Sequence, residues 1–165
     1  QHPFQRTRDH VVSDLMTTPV SVPAGLMQQK VSALQAELSK LPQYQPETRH
    51  YFHGGMYCRE VFRHAGVLVV GAVHRREHFY LIVSGTVAIT DGEGNVQEVT
   101  GPYLFQSKPG TKRAVLALTD TLCMTFHALG ATTVEEAEAE LVEPEPDSRY
   151  APGNLIKHDA QEMLT

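Results

Sequence analysis

The sequence predicts one mainly β domain closed as a jelly-roll barrel, and three observations carry that expectation. The chain has 165 residues, about the length that encloses a single core of ordinary size. Short segments rich in valine, tyrosine, phenylalanine and threonine recur from residue 57 to 128, divided by glycine or charged turns, which is the punctuation of an antiparallel β domain. Eight such segments read as strands, at 57–64, 67–74, 78–83, 86–91, 95–99, 103–106, 112–118 and 121–128, and eight strands at this spacing suit a jelly roll.

In chain order, residues 1–23 read as an extended arm, because no period is sustained and Pro19 and Pro23 deny a helix interior to their neighbours. Residues 24–42 read as an amphipathic helix: Met27, Val31, Leu34, Leu38 and Leu41 recur at steps of four and three, and Pro42 stops the run. Its apolar stripe must lie on the barrel or on a second subunit. The barrel is expected over 43–130, with DGEGN at 91–95 as a hairpin turn, since glycine supplies the positive φ angles that tight turns require. A short acidic helix follows over 131–142, where Thr133 can cap and Glu136 holds the reciprocal capping-box position. Residues 143–165, with Pro144, Pro146 and Pro152, read as a second extended arm.

The net charge of −5 argues against nucleic-acid binding, which needs a basic patch. The excess acid is local, falling between Glu135 and Asp147, and its simplest reading is a solvated helix face. Two cysteines, Cys58 and Cys123, form no C-x-x-C pair and read as small strand residues in a reducing compartment. No apolar run is long enough to span a membrane and the first residues are polar, so a soluble protein is expected, with no membrane partner.

Candidate chemistry centres on histidine. Alternate residues of a strand share a face, so Ala72 and His74 point one way, as do His78, Tyr80 and Ile82. If strands 67–74 and 78–83 pair across Arg75–Glu77, His74 and His78 meet. Two neutral imidazoles at that separation can share a divalent metal of the kind that suits nitrogen donors, Zn, Fe, Ni or Cu. His127 is the first choice for a third ligand; Glu77 is the second, offset by one residue from His78 and so expected to point away. Arg113 reads either as a surface arginine or as an anchor for an anionic ligand at the barrel mouth. Tyr80 and Tyr103, with Phe105, are either plain core or the lining of a small-molecule pocket. Phe79, Leu81 and Val83 make the opposite face of their strand apolar, so a partner subunit or the 24–42 helix is expected to cover it.

The stretch GVLVVGAVHRREHFYLIVSG resembles the first signature of the cupin superfamily, with Gly66, positions 72, 74 and 78, and Gly85 at its intervals. Two ligand places differ: Ala72 stands where the family has its first histidine, and His78 where it has glutamate. SKPGTKRAVLAL resembles the second signature, with Gly110 aligned, Pro109 shifted by one and Arg113 in place of the family's third histidine. The resemblance implies a single cupin, a double-stranded β-helix or jelly-roll barrel, and a divalent transition metal such as Zn, Fe, Ni or Mn. Closer in, LPQ at 41–43, RHYFHGGMYCREVF, HRREHFYLIVSG and SKPGTKRAVLAL resemble small cupin-like proteins encoded by phages and prophages, over about residues 25–128.

Two functions follow as expectations. One is a phage-encoded, homo-oligomeric assembly or virion-associated protein, using its proline-bearing arms to reach other subunits or virion proteins, and found in the host cytoplasm when made or in the virion. The other is a metal-dependent cupin enzyme of the dioxygenase, isomerase or lyase kind acting on a small anionic substrate. A pocket reaching the metal is the minimum requirement of the second.

Overall fold

The computed structural model describes residues 24–90 and 95–157. The expected first arm, most of the DGEGN turn and residues 158–165 lie outside the described residues.

Strands β1 (Glu47–His53), β2 (Met56–Arg63), β3 (Leu68–Val70), β4 (His78–Ser84), β5 (Thr86–Thr90), β6 (Val96–Thr100), β7 (Tyr103–Ser107), β8 (Ala114–Ala117) and β9 (Thr121–Ala128) form two sheets. Their orders are β1-β2-β9-β4-β7 and β3-β8-β5-β6, with antiparallel neighbours throughout. From β2 to β9 the chain passes between sheets at every step except the β5–β6 hairpin, as two interleaved Greek keys do, so the fold is an eight-stranded jelly roll. One apolar core joins the sheets: Tyr80, Ile82 and Cys123 from the first meet Val87, Ile89, Val99 and Val115 from the second.

The turns show why the glycine frame of the sequence is so regular. Gly66 and Gly85 sit at φ +86° and +85°, in the left-handed region that disfavours a Cβ. At Gly85 a Cβ would also strike the carbonyl of Asp120. Strand β1 was not among the expected strands; it joins β2 through Gly54–Gly55, both at positive φ, with His53 opposite Met56. That Gly-Gly pair is a two-residue hairpin signal, hidden in the sequence by the polar residues alternating along β1.

The expected strand 67–74 shortens to Leu68–Val70, and it pairs with β8 rather than with β4. Its remaining backbone is claimed from far along the chain. Glu143 N–H donates to Val73 C=O at 2.9 Å, Arg75 N–H donates to Leu141 C=O at 2.7 Å, and His74 forms an isolated bridge with Val142. These contacts come from the end of helix α2 (Val134–Leu141), which Thr133 caps through Glu136 N–H at 3.3 Å. Ala137 and Leu141 of α2 bury against Tyr57 and Leu129, closing one end of the barrel.

Helix α1 spans Ala24–Leu38, ending before the expected stop at Pro42 because Ser39–Leu41 tighten into turns. Val31 packs on Leu68, Val70 and Ala114, the outer face of the second sheet. The helix therefore does not cover Phe79, Leu81 and Val83, which lie on the outer face of the first.

Residues 150–156, expected as extended arm, form a short hairpin of β10 (Tyr150–Ala151) and β11 (Leu155–Ile156) that docks on the same chain. The Tyr150 hydroxyl donates to Tyr44 C=O at 2.6 Å, and Asn154 donates to Thr48. The acidic stretch is likewise partly used: Glu145 meets Lys112 at 2.8 Å, and Glu140 meets Arg76 at 2.6 Å.

Candidate metal centre and barrel cavity

Three separate elements bring the histidines together. His74 is fixed by the α2 contact, His78 opens β4, and His127 lies on β9, whose inward alternation also carries Cys123 and Thr125. The β4–β9 and β2–β9 registers set His127 beside His78 and opposite Tyr57. Ring centroids lie 4.2 Å apart for His74 and His78, 4.8 Å for His78 and His127, and 5.4 Å for His74 and His127. One ring nitrogen from each falls within 4.8 Å of the others. The pairing of strands 67–74 and 78–83 expected from the sequence is absent, yet the meeting it was meant to explain occurs, with α2 as the cause.

The cluster fits a cation that takes neutral nitrogen donors. Burial, then the neighbouring His78 and the positive charge of Arg59, push His74 down to about 2. Burial, with His78 and Arg59, pushes His127 down to about 3. His78 is lowered as well, chiefly by burial, with Arg113 and Arg59 adding to it against the Arg76 carbonyl. All three are therefore in the unprotonated, ligating form near neutral pH. His78 Nδ1 lies 3.3 Å from the Arg76 carbonyl, and as donor to it would leave Nε2 for a metal. His127 Nδ1 is buried with no hydrogen-bond partner, an atom that coordination would satisfy.

His74 and His78 line an open cavity of ≈ 80 Å³ inside the barrel, with His127 2% exposed behind them. Arg59, Arg63, Arg113, Tyr80 and Thr125 share the lining, and among the described residues no aspartate or glutamate does. Arg113, one of the expected ligand-binding residues, donates to Ser107 at 2.7 Å and stands over the Phe105 ring at 5.4 Å. Tyr80 also reaches the cavity. Tyr103 does not: it is 44% exposed on β7, packed on Phe105. Glu77 is exposed and outside the cluster, as its one-residue offset predicts.

Arg59 and Arg63 were missed at the level of sequence. The available signal was the alternation of MYCREVFR, which puts both arginines on one face with Tyr57 and Val61.

The strand order defines the class: the chain is a single jelly roll, a double-stranded β-helix. No protein-family model matches it, and no curated protein matches it. Among solved structures it is similar to an uncharacterised double-stranded β-helix protein from Klebsiella pneumoniae, at TM-score 0.47 and 16% identity over 59% of this chain and 89% of that one. A cupin superfamily protein from Desulfitobacterium hafniense gives TM-score 0.45 and 12% identity over 56% and 88%. An RmlC-like cupin from Desulfovibrio desulfuricans gives 0.43 and 13% over 51% and 82%. The fold class rests on the strand order itself.

Proposed function

We propose that this chain binds a divalent transition metal through His74, His78 and His127 and presents it to a small anionic molecule in the barrel, as a metal-dependent enzyme of the dioxygenase, isomerase or lyase kind would. The observation that carries the reading is the set of three buried, neutral imidazoles beside a cavity lined by arginines and, among the described residues, no carboxylate. Three nitrogen donors leave coordination positions for a ligand. An all-imidazole set favours Zn, Fe or Ni over Mn, which prefers carboxylate and water oxygens. When bound, such a metal supplies Lewis-acid polarisation of a ligand oxygen. Arg113, bonded to Ser107 in the cavity wall, would add to the positive potential that favours an anionic ligand.

Metal analysis of the purified protein after incubation with Zn²⁺ or Ni²⁺ tests this. About one ion per chain is expected in the wild type, with marked depletion in His74→Ala, His78→Ala and His127→Ala. Equally low metal in all four proteins ends the proposal.

A second reading, self-association within a phage-encoded assembly, is favoured by a different observation. Among the described residues nothing covers the apolar part of the first sheet's outer face, where Phe79 is 46% and Leu104 53% exposed. Solution mass and a search for the protein in purified virions test it; a monomer absent from virions removes it.

A further inference from the structure

Arg63 is an inward-facing charge with no ion pair among the described residues. It lies on the inward face of β2 at the barrel end of the strand, four residues beyond Arg59 and about 13 Å along the strand from it. Its side chain is partly buried, and the groups it meets are neutral: Nη1 donates to the Tyr80 hydroxyl at 3.2 Å and approaches Cys123 Sγ at 3.6 Å. Its Nε is shut from solvent without a hydrogen-bond partner. Arg59, by contrast, has Glu138 at 3.7 Å. Among the described residues no carboxylate acts on Arg63, and a cation drawn largely out of water among neutral groups is unfavourable unless something anionic joins it.

The cavity beside Arg63 has the form of a site for one class of molecule. Val61, Val69 and Val115 supply apolar wall, and Thr125 Oγ1, buried without a partner, faces the same space toward the histidines. A volume of ≈ 80 Å³ is room for about five to eight water-sized groups. Planar guanidinium matches a carboxylate in two parallel hydrogen bonds.

We infer that the barrel binds a short-chain organic acid, its carboxylate seated on Arg63, its carbon skeleton against the valines and its far end toward Thr125, His74 and His78. The inference deepens the reading of the cavity as the ligand site of the metal centre and rests on it. Arg63 is the carboxylate anchor, and the Tyr80 hydroxyl, accepting from Arg63, can donate a hydrogen bond to a carboxylate oxygen. The ligand's charge also offsets the positive charge that a divalent ion would add next to Arg59 and Arg113.

Calorimetric titration of the full chain, metal-free and Zn²⁺-loaded, with butyrate, succinate and inorganic phosphate tests this on wild type, Arg63→Met and Arg63→Lys. At least one of the two acids should bind the wild type more tightly than phosphate. Arg63→Met should weaken that binding by about tenfold or more, and Arg63→Lys, which keeps the charge but loses the fork, by less. The melting temperature of Arg63→Met should stay level or rise, because a buried charge has been replaced by an apolar group. The inference is overturned if neither acid binds in either metal state, if phosphate binds more tightly than both, or if Arg63→Met binds the acid as well as the wild type. Acid binding by the metal-free protein that depends on Arg63 stands even if the histidine variants show no loss of metal. Stoichiometric metal with no acid binding sinks this inference and leaves the metal centre intact.

Discussion

Each of the three histidines is held neutral by its surroundings, and that state has a price at low pH. An ordinary histidine takes up its proton near 6.5, while burial holds His74 to about 2 and His127 to about 3. As pH falls below 6.5, the unfolded chain gains protons that the folded chain refuses, so the folded state loses stability. The contribution is complete above the unfolded value and drains away toward the folded ones. For metal-free protein we expect the denaturation midpoint to be flat near pH 7.5 and to fall steadily from pH about 6 to 4, more than exposed histidines would allow. His74→Leu should make that acid limb shallower; an unchanged limb would contradict the burial argument. At the same scale, loss of a ligating ring should cost more metal affinity than the roughly 10–100-fold typical of an outer partner, measured by competition with a chelating dye.

At the scale of elements, helix α2 is the part that makes the site. Its last turn and the residues after it bond to Val73, His74 and Arg75, and these bonds replace the strand pairing that the local sequence suggests. Leu141, 2% exposed, anchors that turn. Leu141→Ala should cost about 2–5 kcal/mol by denaturant unfolding and should also weaken metal binding, because His74 loses its fixed backbone. Lost stability with metal affinity intact would show that α2 only seals the barrel. The helix itself was legible, since Thr133 and Glu136 announce its start by their spacing. Its docking was not, because Leu141 and Arg75 are far apart in sequence and no local period encodes their meeting. Strand β1 and the hairpin at 150–156 were hidden for related reasons: polar alternation masks the first, and the second depends on Tyr44, Gln45 and Thr48 at the other end of the domain.

At the scale of the whole molecule, the two outer faces of the barrel differ. Helix α1 covers part of the second sheet, whereas the first presents a row of Tyr51, Cys58, Phe126 and Phe79 in register, beside Met124, Leu81 and Leu104. A contiguous apolar face of this kind marks an interaction surface. If two copies meet there, Phe79→Glu with Leu104→Glu should turn a dimer into a monomer by light scattering without lowering the melting temperature of the monomer; an unchanged mass would place any self-association elsewhere. Among the described residues no helix is long and apolar enough to cross a membrane. The sequence by itself determined the barrel, because alternation along strands and glycines at forced turns are local properties, and it singled out His74, His78 and His127 as candidates from cupin-like spacing and strand faces, although the strand pairing expected to join the first two is absent. Only the tertiary structure decided that α2 holds His74 in place, that Arg59 and Arg63 point inward, and that a cavity remains between them. Those outcomes depend on which residues meet across the fold, and burial, charge compensation and packing are settled only there.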